Sequence, residues 1–299
     1  MEFMLAERGR HEDLGKLAAT GYVFDLKIDG IRAFVRTDGT PAVVMTSRND
    51  LDLTARFPEL VTALRALNTP GVKLDAEIAV PDSSGLPSWP LTQRRTAQRS
   101  APGRMALDLP AVLYVFDVLE LDGTDTTTWP FRQRRAALEE LATRWDGRLS
   151  TTVCSPDPWS LWQLVREHHL EGLIAKRGDS RYHRGRSRDW IKIKATQTLS
   201  ALVGGVEWAG AEGTSEPRSL QLFLVDPTGA LVPVGNASAG VSGPMRRRLI
   251  AGLRHPPVVV EVEYSEVTAA GVLRHPVVRA VRSDIDVLAC GTDQLRGLV

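Results

Sequence analysis

The 299-residue chain has only two cysteines, Cys154 and Cys290. One pair does not make the disulfide framework of a small secreted domain, and two thiols cannot complete an all-cysteine zinc site. No apolar run approaches the roughly 20 residues of a membrane helix. The first residues, MEFMLAERGR, lack the apolar stretch of a secretory signal. There is no internal repeat and no low-complexity segment. An excess of charge is missing too: 37 Lys and Arg meet 36 Asp and Glu, for a net charge of +1. That balance argues neither for nor against a polyanionic partner. What remains is a globular composition, 43% hydrophobic and 24% charged, long enough for two domains. The cytoplasm is the expected location, with no membrane association.

Charge is clustered rather than abundant. From Lys176 to Lys194 the basic residues are Lys176, Arg177, Arg181, Arg184, Arg186, Arg188, Lys192 and Lys194, with His183 among them. Only Asp179 and Asp189 oppose them. Arg94, Arg95, Arg99 and Arg104 form a second cluster. Such patches suit a surface that follows phosphates. The plainer alternative is a solvated, arginine-rich loop.

Residues 1–20 read as a short lead-in lying against the first domain. Alternation predicts a strand over Tyr22–Leu26, a return strand over 31–36 and an Asp29-Gly30 turn between them. A second turn at Asp38-Gly39 leads into a strand ending at Met45, and residues 47–50 form a polar turn. Phe57, Leu60, Val61 and Leu64 share one face of a helix expected over 54–67, with its stop at 68–71. A strand over 72–80 follows. Residues 81–106 read as irregular, with a short helix over 91–99. Then come an apolar strand over 111–119, an amphipathic helix over 131–144 and a helix over 158–169 starting near Asp157. A short strand over 172–175, a basic loop and a strand over 190–195 complete this part. After Thr196 the texture changes to strand-like runs at 202–206, 220–225, 231–234 and 258–267, with one helix over 244–253. That pattern fits a small barrel such as the OB-fold. The domain boundary is set at 195/196, giving domains 1–195 and 196–299.

Residues suited to phosphoryl chemistry recur as short motifs. Residues 25–32 read DLKIDGIR; Asp25 and Lys27 lie at i and i+2 and share a strand face. Arg48 sits in the polar turn. Residues 75–77 read DAE, which puts Asp75 and Glu77 on one face. Residues 114–119 read YVFDVL. Asp117 there is a carboxylate in an apolar run, costly unless paired or metal-bound, which favours a site. Phe116 is either a core aromatic or a stacking surface. Residues 171–176 read EGLIAK and residues 190–194 read WIKIK, with Lys192 and Lys194 on one face. Residues 275–284, HPVVRAVRSD, carry Arg279 and Arg282. A reactive amine, acids for a divalent cation and lysines for phosphate are what phosphoryl transfer needs. An amine attacks only in its neutral form, which nearby cations such as Lys192, Lys194 and a metal ion favour.

In order and content these motifs resemble those of the covalent nucleotidyltransferases: ATP-dependent DNA ligases, RNA ligases and mRNA capping enzymes. The resemblance spans residues 22 to about 285. It implies an α+β fold, an antiparallel-sheet nucleotidyltransferase (adenylation) domain followed by an OB-fold domain. Lys27 would be the nucleophile that carries AMP. Asp25 would accept a hydrogen bond from the adenine amino group, and Phe116 would stack on the base. Arg32, Arg48, Glu77, Lys176, Lys192 and Lys194 would bind the rest of the nucleotide, with Arg279 and Arg282 reaching the pyrophosphate. Asp29, Glu77 and Glu171 would hold Mg²⁺ or Mn²⁺. Arg94, Arg95, Arg181, Arg184 and Arg186 would grip DNA phosphates. Ala76 replaces the family's usual glycine, and Ile285 the usual lysine after Asp284.

The form most resembled is a minimal bacterial-type ATP-dependent DNA ligase, with no DNA-binding domain before Lys27 and no cysteine-rich finger. It implies ATP as cofactor, nicked duplex DNA as substrate, a monomer and a repair-protein partner for recruitment. The alternatives are an RNA ligase or capping-type guanylyltransferase, a non-catalytic nucleic-acid-binding module of the same fold, and a repair scaffold. Asp25 and the Trp190 motif favour the DNA ligase. Retention of Lys27, Glu77, Glu171, Lys192 and Lys194 favours an enzyme.

Overall fold

The computed structural model describes residues 3–37, 42–67, 71–98, 100–209, 216–241, 243–268 and 270–295. The expected Asp38-Gly39 turn, most of the helix stop at 68–71, and Arg99 lie outside these residues. The chain divides into two compact units, Met1–Ala195 and Thr196–Val299.

In the first unit the strands are β1 (Met4–Arg8), β2 (Tyr22–Leu26), β3 (Ile31–Thr37), β4 (Val43–Ser47), β5 (Val72–Pro81), β6 (Val112–Leu121), β7 (Leu149–Thr151), β8 (Cys154–Ser155), β9 (Gly172–Arg177) and β10 (Gly185–Lys194). They build two sheets. One has the order β1-β10-β9-β2-β8 and is antiparallel except for the β1–β10 pair. The other runs β4-β3-β5-β6, with β7 parallel to β6. Short strands at Pro87–Ser88 and Thr124–Asp125 add to β5 and β6.

The first sheet is two-faced because strand side chains alternate. Tyr22, Phe24, Leu173, Ala175 and Ile193 turn one way and pack with Leu14 and Leu17 of α1 (Leu14–Ala19) and with Leu161 and Val165 of a helix over Pro158–Glu167. The other face carries Asp25, Lys27, Lys176, Lys192 and Lys194. The lead-in is therefore part of the fold. Met4 is fully buried, and β1 forms the sheet's edge against β10. Asp157 caps the Pro158–Glu167 helix by accepting from the Trp159 and Ser160 amides.

The expected Asp29-Gly30 hairpin does not form. β2 and β3 belong to different sheets, and residues 27–30 cross between them. Beyond β2 the chain stays tied to its own sheet: Leu26 N donates to Val153 O and Lys27 N to Gly172 O, both at 2.9 Å. Gly30 is needed for a close approach, since a Cβ there would lie 2.4 Å from the Ile78 carbonyl oxygen.

The second sheet packs on α2 (Pro58–Ala66). A short 3-10 turn over Thr54–Arg56 precedes it, so the helix begins later than its apolar spacing alone predicts, with Pro58 in its first turn. Leu60 and Leu64 of α2 are buried with Phe57, Leu74, Ile78 and Val115 in one core. Truncating Leu60 to alanine would cost about 2–5 kcal/mol. Residues 81–106 are more regular than expected, with α3 (Trp89–Ala97) and α4 (Pro102–Asp108). α5 (Phe131–Ala142) lies where its periodicity predicts.

The second unit is a five-stranded antiparallel sheet of β11 (Gln197–Ala209), β12 (Glu216–Val225), β13 (Leu231–Ala237), β14 (Val259–Tyr264) and β15 (Val277–Arg282), in the order β13-β12-β11-β14-β15. It closes on itself: just past β13, Ala239 bridges Val277 of β15, and Val278 N donates to Ala239 O at 3.0 Å. Gly240 makes this seam possible, with φ +82° and no room for a Cβ against the Val278 carbonyl. Leu220, Leu222, Val260, Val262 and Leu249 of a helix over Gly243–Leu253 fill the interior.

Candidate active site

Cross-strand register collects the charged residues of the first sheet into rows. Asp25 lies opposite Ile174, and Ile174 opposite Lys192. In the next row, Lys27 N bonds Gly172 O, and Gly172 pairs with Lys194. Gly172 puts no side chain between the two lysines, and a Cβ there would lie 2.1 Å from the Ile193 carbonyl oxygen. Both amines consequently meet on Glu171. Lys27 Nζ pairs with Glu171 Oε2, and Lys194 Nζ sits 2.8 Å from Oε1. Burial alone would raise the Glu171 carboxyl, but the Lys27 and Lys194 charges hold it below its ordinary value. Lys192 has no carboxylate partner among the described residues. Burial, then the Lys194, Arg186 and Lys27 charges, push it down from the ordinary lysine value. A cation destabilised in this way favours an incoming anion.

The second sheet supplies the facing groups. Arg32 (β3) and Glu77 (β5) are cross-strand partners. Arg32 does not point freely into solvent. Its guanidinium forks onto Asp75, Nε to Oδ1 at 2.9 Å and Nη2 to Oδ2 at 2.7 Å. Tyr182 Oη donates to Asp75 Oδ2 at 2.6 Å. Burial and the Asp75 charge push the phenol far above its ordinary value, so it remains a donor. Arg32 also lies 5.4 Å over the Phe116 ring and 5.7 Å over Trp190. Glu77 has no hydrogen-bonded cation among the described residues. Burial pushes its carboxyl up to about 8, only partly offset by the Lys27 and Arg32 charges.

Asp25 is almost wholly buried, at 2% exposure. Lys176 Nζ sits 2.5 Å from it and Arg135 3.7 Å away, yet neither carboxylate oxygen accepts a well-directed hydrogen bond. Lys176 itself is 1% exposed. It donates to the Phe116 carbonyl at 2.8 Å and lies 4.5–4.8 Å from the Trp190, Phe131 and Phe116 ring centres. It therefore sits at the inner, aromatic end of the site, not among the other phosphate candidates.

Between these groups opens a cavity of about 260 Å³. Asp25, Lys27, Arg32, Arg48, Glu77, Phe116, Lys176 and Lys192 line it, and Arg186 reaches its rim; all were expected from sequence. Arg48 is exposed and has no carboxylate partner among the described residues. Glu171 and Lys194 stand beside Lys27. Sequence reasoning gave Asp75 no task and overlooked Tyr182 and Arg135. The signal for Asp75 was present: an acid in a buried strand needs a partner.

Several expectations need correction. Asp117 is not a site residue. It is fully buried on a bidentate pair with Arg134 of α5, at 2.7 and 2.9 Å, and Arg134 also donates to the Trp129 and Ser180 carbonyls. Arg95 cannot grip DNA. It is 1% exposed, lies 4.9 Å over the Phe57 ring and bonds the Arg56 carbonyl and Glu59. Arg94, about 100° further round α3, is exposed, as are Arg181, Arg184 and Arg186. The last third of the expected basic loop is strand, the start of β10. Within the barrel, Arg279 forks onto Glu263, and Arg282 holds Asp284 and Glu261. Both guanidinium groups thus have carboxylate partners in the barrel. Among the described residues no group of three or more acidic, histidine or cysteine side chains is placed to hold a metal ion, so Asp29, Glu77 and Glu171 do not make a ready cage. No helix among the described residues is long and apolar enough to cross a membrane.

Comparison with known proteins decides the family. A model of the ATP dependent DNA ligase domain matches residues 3–194. The chain belongs to the ATP-dependent DNA ligases. The chain is 33% identical over 306 residues to the multifunctional non-homologous end joining DNA repair protein LigD of Mycobacterium tuberculosis, covering 92% of this chain and 38% of that protein. A probable DNA ligase of Anaeromyxobacter dehalogenans is 33% identical over 225 residues, covering 73% of this chain and 43% of the other. The chain thus spans less than half the length of these curated relatives. The crystal structure of the ligase domain from M. tuberculosis LigD aligns over 96% of both chains, with TM-score 0.58 and 31% identity. A mycobacterial DNA ligase D complexed with ATP and MES aligns over the same shares with TM-score 0.57 and 30% identity. The fold is the α+β ligase fold, a nucleotidyltransferase domain with an OB-fold barrel.

Proposed function

We propose that this ligase seals 5′-phosphate/3′-hydroxyl nicks in duplex DNA through a lysyl-AMP intermediate on Lys27. The observation that carries the reading is the shared carboxylate: Lys27 and Lys194 converge on Glu171 at the edge of a cavity lined by Asp25, Phe116 and Lys192. In the proposed cycle Lys27 Nζ attacks the α-phosphorus of ATP and pyrophosphate leaves. AMP then passes to the 5′-phosphate at the nick, and the 3′-hydroxyl displaces it. Attack needs the free amine, so Lys27 must release Glu171, and Lys194 is placed to keep that carboxylate. Lys192, Lys194 and Arg48 would hold phosphates, where fixed charge does most of the work of phosphoryl transfer. Asp25 has acceptor capacity for the adenine amino group, and Phe116 offers a face for the base.

Mg²⁺ keeps several waters and binds through one or two carboxylates plus substrate phosphates, so the lack of an all-protein cage suits it. Glu77 and Glu171 would hold it, and it would neutralise phosphate charge in the transfer. Asp29, on the crossover two residues beyond Lys27, would join them. We assign residues 1–195 to adenylation and 196–299 to the barrel, with Arg279 and Arg282 exchanging their carboxylate partners for pyrophosphate. Arg94, Arg181, Arg184 and Arg186 would meet the DNA backbone. By likeness to the end-joining relatives, the setting is double-strand-break repair with a protein partner, in the cytoplasm.

The test is label transfer from α-labelled ATP or GTP with Mg²⁺. Label is expected on the protein in a denaturing gel, from ATP only, absent in Lys27→Ala and discharged by nicked DNA. Label from GTP alone would point instead to a capping-type enzyme, and none from either nucleotide to a non-catalytic module.

A further inference from the structure

Tyr182 lies in the basic segment between Arg181 and Arg184, both exposed, yet its own side chain turns inward. Its hydroxyl accepts from the Met4 amide at 3.1 Å and donates to Asp75 Oδ2 at 2.6 Å. The first bond fixes the rotor, because a hydroxyl that accepts from one side must send its proton elsewhere. That proton goes to the carboxylate oxygen that also takes Arg32 Nη2 at 2.7 Å. The ring stands edge-on to Trp190, with centres 5.7 Å apart. Its backbone is held as well, Tyr182 N donating to Thr127 O at 2.9 Å. Asp75, fully buried, touches nothing in the cavity itself; Arg32 does.

We infer that Tyr182 is a positioning residue of the nucleotide site, which sets the Asp75 carboxylate and through it the reach of Arg32 across Phe116 and Trp190. A carboxylate gripped only by a guanidinium can swing with it. One gripped also by a fixed phenol cannot. The role is to hold Arg32 where the nucleotide meets it, so it acts on binding more than on the transfer step. This rests on the adenylation reading above.

The experiment measures self-adenylation of the full chain against ATP concentration, for wild type, Tyr182→Phe, Asp75→Asn, Arg32→Lys and the Tyr182→Phe/Arg32→Lys double variant. Phenylalanine keeps the ring packing on Trp190 and removes only the hydroxyl. Losing one hydrogen bond to a charged group predicts a half-saturating ATP concentration (apparent KM) raised about tenfold in Tyr182→Phe, with the limiting rate of label transfer within about twofold. Asp75→Asn, which leaves Met4 bonded to Tyr182, is expected to shift KM the same way. In the Arg32→Lys background Tyr182→Phe should add little, since the group it positions is gone. An unchanged KM in Tyr182→Phe, or the same proportional loss with and without Arg32, would overturn the inference. Wild-type protein that takes no label would instead overturn the adenylation reading.

Discussion

Asp75 and Asp117 face each other on neighbouring strands, in direct register. Both are fully buried, and each is gripped by a bidentate arginine. They differ in what the arginine does next. Arg134 is itself fully buried, and its remaining donors go to the Trp129 and Ser180 carbonyls, tying α5 to the basic segment. Arg32 stays 18% exposed and borders the cavity. One pair therefore closes a piece of structure, and the other presents a charge to a ligand. A buried aspartate in a motif-like stretch does not announce which it is. The other side of its partner decides.

The same substitution at both pairs should separate them most strongly. Arg134→Met leaves Asp117 uncompensated in the interior and should cost about 3–5 kcal/mol in urea unfolding. Arg32→Met leaves Asp75 with Tyr182 and should cost clearly less stability while sharply reducing label transfer. Equal stability losses would erase the distinction drawn here.

Glu77, two residues beyond Asp75, extends the comparison to a carboxylate without an arginine of its own. Its folded value of about 8 lies above the ordinary 4.5. The native state therefore binds more protons than the unfolded chain between those values. Stability from this group is present below about pH 4.5 and is lost as pH rises through about 8. The slope from one proton is at most about 1.4 kcal/mol per pH unit. In metal-free buffer, Glu77→Gln should flatten that decline, and unchanged curves would count against the burial argument.

The smallest effect belongs to the arginines of the two basic clusters. Arg184→Ala should lower the slope of log affinity against log salt for nicked DNA by about one unit. Arg95→Ala should leave the slope unchanged and lower stability instead, because that guanidinium packs on Phe57. A reduced slope in Arg95→Ala would put the buried arginine back on the DNA face.

Much of the fold was legible because the strands of the first sheet obey a strict two-residue alternation. The same alternation placed Asp25 with Lys27, and Lys192 with Lys194. What stayed hidden was pairing between distant segments. The Asp29-Gly30 signal is local, whereas the partners of β2 come from residues 154–155 and 172–177, about 130 residues or more along the chain. The lead-in read only as a segment lying against the first domain, because Met4 and Leu14 are buried by elements far away in sequence. Arg95 read as surface by residue type, and only the packing of Phe57 and Glu59 around it says otherwise. Of the site residues, those within motifs were found, and Tyr182 was not, since a hydroxyl's partner is invisible to spacing.

The carboxylate of Glu171 is shared by two ammonium groups, and only one of them is used up if Lys27 forms a phosphoramidate. An amine bonded to phosphorus no longer brings a positive charge to Glu171. Lys194 still does, from the neighbouring strand. The acid would thus keep a counter-ion before, during and after the change, and its strand would have no electrostatic reason to shift between turnovers. A site whose nucleophile would alternate between charged and neutral forms is here given a second cation on the same carboxylate, which keeps the local charge steady.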